Sequence, residues 1–219
     1  LLTRMLGAEI RFTNDFERAS VDCGIDDAAA EAAARGGHPY CIPRGGSCAL
    51  AALAHALAVR ETLGQCAALG VTPQAVVMPA GGGGTLAGWL LGTALFGARW
   101  RLEAFAVSRS AAETLARARK LAAEAAAIVG YAFDREVEIF VNEAFLAPGY
   151  GIPSPEGQSA IAVTARTEGV FLDPTYTGKA MAGYLAFLHK GRYAGIGTVL
   201  FLHTGGAPSL FTAAVEAMP

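Results

Sequence analysis

Four consecutive glycines, Gly81, Gly82, Gly83 and Gly84, lie between the apolar run Val76-Val77-Met78-Pro79-Ala80 and the small-residue segment Thr85-Leu86-Ala87-Gly88. Glycine admits positive φ and has no Cβ, so such a run lets several backbone N–H groups converge on one anion. A helix starting at Thr85 adds its unpaired first-turn donors and the positive end of its dipole, and Thr85 adds a hydroxyl. The chemistry these residues suit is capture of a phosphate group by backbone. The run lacks the Lys-Ser/Thr ending of a nucleotide P-loop, which argues against ATP. Gly82-x-Gly84-x-x-Ala87 loosely fits a dinucleotide fingerprint, with Glu103 about 20 residues onward. Glu103 falls inside the run Trp100-Arg101-Leu102-Glu103-Ala104-Phe105-Ala106-Val107 rather than at its end, so a dinucleotide is disfavoured. A merely flexible turn is the bland alternative.

The remaining reactive side chains exclude several functions. Cys23, Cys41, Cys48 and Cys66 form no CxxC pair and have no histidine at ligand spacing, so core thiols are expected and no metal site. With no secretory pattern, reduced thiols in a cytoplasmic protein are expected. A net charge of −2 without basic clusters gives no electrostatic footprint for nucleic acid or an anionic membrane. The most apolar helical stretch, 48–59, is interrupted by His55 and closed by Arg60-Glu61. It falls short of the ~20 residues of a membrane span and reads as a core helix. The chain is 53% hydrophobic over 219 residues, enough for a sizeable core and more than one lobe.

Elements that position the glycine run follow from punctuation and periodicity. Helices are expected at 1–6, 26–34, from the Ser47 cap to about 69, at 85–96, from Ser108 or Ser110 to about 128, and at 156–168, 178–190 and 207–217. Strands are expected at 8–13, 38–42, 75–79, 101–107, 136–141 and 198–203. This alternation predicts an α/β fold, a mainly parallel sheet with helices on both faces. The turn Pro43-Arg44-Gly45-Gly46 is the expected boundary between a smaller lobe, 1–42, and a larger one, 43–219. Ligands in such folds gather beyond the carboxyl ends of strands. The glycine run, the Asp173-Pro174-Thr175-Tyr176-Thr177 segment and the Thr204-Gly205-Gly206 turn all fall there. The opening Leu1-Leu2-Thr3-Arg4-Met5-Leu6-Gly7 is helical in pattern but uncapped, as if the chain starts inside an element.

Six stretches together resemble the D-cysteine desulfhydrase and 1-aminocyclopropane-1-carboxylate deaminase family, pyridoxal-phosphate enzymes of the tryptophan-synthase-β-like fold (fold type II). They are Pro43-Arg44-Gly45-Gly46-Ser47, the glycine run through Gly88, Val107-Ser108-Arg109-Ser110, Ala147-Pro148-Gly149-Tyr150-Gly151-Ile152-Pro153, Leu172-Asp173-Pro174-Thr175-Tyr176-Thr177-Gly178-Lys179, and His203-Thr204-Gly205-Gly206-Ala207-Pro208. The resemblance implies pyridoxal 5'-phosphate as cofactor, its phosphate held by Gly81, Gly82, Gly83, Gly84 and Thr85. It implies that Tyr150 and Tyr176 are the two active-site phenols, near substrate and cofactor ring. Thr177 would face the pyridine nitrogen, where deaminases of the family carry glutamate, and Thr204 stands where the deaminase pattern has leucine. Both departures favour desulfhydrase-type β-elimination of a small amino acid such as D-cysteine to pyruvate, ammonia and sulfide. Deamination of 1-aminocyclopropane-1-carboxylate and removal of sulfite from cysteate are the alternatives. The family resemblance further implies a homodimer.

The family holds its cofactor through a lysine in an N-terminal segment, followed by a serine-asparagine motif, and neither is matched here. The chain's lysines are Lys120, Lys179 and Lys190, and Lys179 matches a non-catalytic lysine of the family. The resemblance implies an N-terminally truncated chain, with roughly a hundred residues of relatives lying ahead of Leu1 and carrying the reactive amine. The expectation is a chain inactive alone, and a non-catalytic remnant is the competing reading.

Overall fold

The computed structural model describes residues 2–15 and 17–212. The chain divides into two compact units, Leu1–Ser47 and Cys48–Pro219. The first holds helices α1 (Leu2–Met5) and α2 (Arg18–Ala34) and a 3-10 turn at Arg44–Gly46. Its ion pairs join Arg11 to Glu31 at 2.9 Å and Arg44 to Asp22 at 3.2 Å. The strands expected at 8–13 and 38–42 are absent: neither stretch pairs with a neighbour, and a strand needs a ladder to satisfy its backbone. Helix α2 begins eight residues before the expected Asp26 and runs through Gly24, a residue whose cost of about 1 kcal/mol in a helix is tolerated here.

The second unit is built on a parallel sheet of β1 (Ala75–Ala80), β2 (Arg101–Ala106), β3 (Ile139–Asn142) and β4 (Val199–Phe201), in the order β3-β2-β1-β4. Helix α3 (Ala49–Ala68) precedes β1, and α4 (Gly84–Leu95), α5 (Ala111–Ile128), α6 (Pro155–Glu168) and α7 (Thr177–His189) run between the strands. The alternation of strand residues decides the two cores. Val76, Met78, Ala80, Leu102 and Ala104 face α3, α4 and α5, whereas Val77 and Phe105 face Ala180, Tyr184 and Phe187 of α7. Helix α4 lies hard against α3 because Gly92 has no side chain; a Cβ there would stand 2.7 Å from Val59 Cγ2 and 2.8 Å from the Ala56 carbonyl.

The chain builds outward from β1 through β2 to β3, then returns to place β4 on the other side of β1. The direction reverses at β1, and a crevice for ligands opens beyond the carboxyl end of a strand at such a point. The residue that follows β1 is Gly81. Strands β3 and β4 are shorter than their expected spans. Helix α3 is capped at Cys48 without a side-chain bond, not by Ser47. The last expected helix appears as a 3-10 segment, Ala207–Thr212, with the rest of that expectation lying outside the described residues, as does Leu1.

Candidate cofactor and active site

Val107 donates to the Ala80 carbonyl, carrying the β1–β2 pairing to the last residue before the glycines, so the run leaves from a fixed point. It turns through Gly83, whose φ of +91° only glycine adopts without strain, and enters α4. Gly83 is the N-cap, and no side chain caps this helix. The first helical bond is donated by Ala87 to the Gly83 carbonyl. The N–H groups of Gly84, Thr85 and Leu86 therefore have no intrahelical acceptor. The three helices that follow it begin differently. Ser110 and Glu113 form a capping box on α5, and Ser154 caps α6. On α7 the Asp173 carboxyl accepts from the N–H groups of Thr175, Tyr176 and Thr177 at 2.7–2.8 Å. Of these four helices, α4 alone keeps its amino-terminal donors for something else.

Tyr176 closes over the start of the run: a Cβ on Gly81 would stand 3.0 Å from Tyr176 Cε1. Its phenol is hydrogen-bonded to that of Tyr150, with the rings edge to face and their centroids 5.9 Å apart. Burial, then the bond to Tyr150, raises the Tyr176 phenol above the ordinary tyrosine range. It stays protonated at neutral pH and acts as a hydrogen-bond donor or as an acid, not as a phenolate.

Thr177 is fully buried beside this pair. Its hydroxyl donates to Asp173 Oδ1 at 2.7 Å and accepts from the Asp173 N–H at 2.8 Å. What remains is one acceptor position, since a hydroxyl has a single proton. Thr204 is exposed in the turn after β4, and that turn abuts the same aspartate: a Cβ on Gly206 would lie 2.6 Å from Asp173 Cγ. The glycine run, the two phenols, Thr177 and the Thr204 turn thus form one connected neighbourhood.

Four side chains take roles that the sequence does not reveal, Ser108 having appeared there as a possible helix cap and, with Arg109, within a matching stretch. His55, noted only as a polar interruption of α3, reaches Thr85 Oγ1 with Nε2 at 3.3 Å, and burial pushes its pKa down, so it is a neutral partner there. Ser108 Oγ and Arg109 Nη1 donate to the Gly81 carbonyl at 3.0 and 3.1 Å, and Arg117 Nε donates to the Gly82 carbonyl at 2.7 Å. The spacing of Arg109 and Arg117 across a helix start resembles any surface charge pattern and carries no signal by itself. Glu103 has no place in a nucleotide site: it is buried and accepts from Arg101, Arg192 and Tyr193.

A parallel α/β core whose switch point presents a glycine-lined, uncapped helix end beside two phenols has the backbone geometry that suits a phosphate ester. Residues 1–205 match the family described as pyridoxal-phosphate dependent enzyme, and the chain belongs to that family. A crystal structure of an ACC deaminase homologue matches with a TM-score of 0.83 at 31% identity, covering 94% of this chain and 61% of that one. The chain therefore spans about three fifths of that protein's length. The architecture is that of the fold-type-II enzymes of this cofactor.

The residues present fit the phosphate end of pyridoxal phosphate: the open donors of Gly84, Thr85 and Leu86 and the Thr85 hydroxyl suit a dianion. The fit does not extend to a covalent amine. Lys179 is buried with its ammonium donating to the carbonyls of Leu146, Ala147 and Gly149. Lys120 stands exposed beside Glu124, and Lys190 caps the far end of α7. No described helix is long and apolar enough to cross a membrane, and no cluster of metal-ligating side chains occurs among the described residues.

Proposed function

We propose that this chain forms the phosphate- and ring-binding part of a pyridoxal-phosphate lyase of D-cysteine desulfhydrase type. Such an enzyme eliminates thiolate from the β-carbon of a small amino acid, giving pyruvate, ammonia and sulfide. The observation that carries the reading is the contact between the open amide cradle at α4 and the Tyr176–Tyr150 phenol pair. When bound, the cofactor supplies an electron sink that stabilises negative charge at the substrate α-carbon.

The chain's own residues divide the rest. Gly81 through Gly84 and Thr85 grip the phosphate ester and fix the ring's position. The Tyr176 phenol keeps its proton at neutral pH and is suited to orient a substrate carboxylate or to protonate a departing group at Oη. Thr177 is uncharged and its proton is held by Asp173, so it holds a proton on the heterocycle nitrogen far less firmly than a carboxylate would. That weakens the sink and suits a substrate with a good leaving group better than ring opening of a cyclopropane. Thr204 stands with the desulfhydrase pattern.

Lys179 spends its ammonium on three loop carbonyls, and Lys190 lies at the end of α7 away from Tyr176 and Thr177, so the chain by itself is expected to bind the cofactor without turning over substrate. Equilibrium dialysis of pyridoxal 5'-phosphate against the protein tests the cradle. Binding competed by inorganic phosphate, weakened by Thr85→Ala, and leaving no borohydride-reducible lysine linkage is expected. Binding indifferent to phosphate and to Thr85→Ala would refute it. Where activity is present, sulfide from D-cysteine supports the desulfhydrase reading; sulfite from cysteate or 2-oxobutanoate from 1-aminocyclopropane-1-carboxylate in its place overturns it.

A further inference from the structure

The glycine run has a weakness that its neighbours correct. Peptides between glycines flip readily because both flanking residues tolerate either sign of φ. A flipped peptide would aim its carbonyl oxygen, not its N–H, at a bound anion. In a trans peptide the C=O and N–H point in opposite directions, and the peptides of this run are trans. Fixing a carbonyl therefore fixes where the next N–H points.

We propose that Arg109 and Arg117 are positioning residues that lock the glycine peptides with their N–H groups facing the cradle. The proposal rests on the phosphate-binding reading of this loop. Ser108 and Arg109 draw the Gly81 carbonyl to the α5 side, so the Gly82 N–H faces away from it. Arg117 draws the Gly82 carbonyl the same way, so the Gly83 N–H follows. The Arg117 stem also runs under Gly83, with Cγ 3.4 Å from where a Cβ would stand. Both arginines act through the peptide, and a charged donor on the carbonyl polarises the N–H at its other end. The Gly81 peptide has two anchors, whereas Arg117 is the one side chain bonded to the Gly82 carbonyl among the described residues. Arg117 therefore carries more of the effect.

Two substitutions separate orientation from charge. Arg117→Gln places an amide nitrogen where the guanidinium Nε stood and removes the charge, while Arg117→Met keeps the apolar stem and removes the donor. Equilibrium dialysis with pyridoxal 5'-phosphate and with pyridoxal isolates the phosphate contribution, and circular dichroism monitors folding. Arg117→Met is expected to weaken pyridoxal 5'-phosphate about tenfold and to leave pyridoxal unchanged, with Arg117→Gln within about threefold of the unmodified protein. Arg109→Met, with Ser108 still in place, is the second variant and is expected to cost about two- to fivefold. Full phosphate-dependent affinity in the methionine variants overturns the proposal, and so does an Arg117→Gln loss equal to that of Arg117→Met. If the unmodified protein binds pyridoxal as tightly as its phosphate ester, the cradle reading itself falls and takes this proposal with it.

Discussion

Lys179 is the side chain whose replacement tests most directly how the phenol pair is held. It sits in the first turn of α7, buried, and spends its ammonium on Leu146 O at 2.8 Å, Gly149 O at 2.8 Å and Ala147 O at 3.3 Å. An ammonium has three donors, and all three go to the loop that delivers Tyr150 to Tyr176. Lys179→Met keeps the stem and removes the clamp. Each charged hydrogen bond is worth about 1.5–3 kcal/mol, but the loop carbonyls lie near the surface and recover water, and the cost of burying the charge is relieved. A net loss of about 2 kcal/mol follows, roughly thirtyfold in the unfolding equilibrium. Urea unfolding should show a lower midpoint at unchanged slope. The Tyr176 phenol, raised by burial and by its bond to Tyr150, should return towards the ordinary range in a phenolate absorbance titration. Burial also lowers the Lys179 pKa, so the unfolded chain holds that proton more tightly. Stability therefore rises with pH between the lowered value and the usual 10.5, and the methionine variant should lose that rise. An unchanged midpoint together with an unchanged phenolate titration would show that the loop stands without Lys179 and would refute the reasoning.

Two further outcomes concern the rest of the fold. Glu103→Gln leaves Arg101 and Arg192 without their buried carboxylate and should lower stability by about 2–4 kcal/mol, read by thermal unfolding. Tyr176 and Tyr193 both have phenols raised above 10.0, first by burial and then by their hydrogen bonds to Tyr150 and Glu103. The stability they contribute is intact below pH 10.0 and lost as pH climbs through their raised values, so denaturant midpoints should fall in that alkaline window. Tyr193→Phe should flatten the fall, and an identical slope in that variant would show that Tyr193 takes no part.

Where local chemistry sets the structure, the sequence was readable. The glycine run after an apolar strand, the cap at Ser110, one of two serines expected to start α5, and a helix over 156–168 appear where expected, because turn geometry and caps are decided within a few residues. The stretches 8–13 and 38–42 depart from the strand expectation for the complementary reason. Their composition suits a strand, but a strand exists only when another supplies its hydrogen bonds, and none does here. Thr177 shows a subtler limit: its place in the motif was visible, yet the commitment of its hydroxyl to Asp173 depended on how the loop folds back.

By itself the sequence determined an α/β chain with a parallel sheet, a glycine turn between β1 and the next helix and two tyrosines in loops, since periodicity and glycine stereochemistry are local properties. Only the tertiary structure decided that β4 returns beside β1, that Tyr176 covers Gly81, and that Arg109, Arg117 and Lys179 turn their charges onto backbone carbonyls. Those arrangements join residues from 28 positions apart (Gly81 and Arg109) to 124 (Ala75 and Val199), and at that separation pairing is chosen by packing and by the need of each buried polar group for a partner.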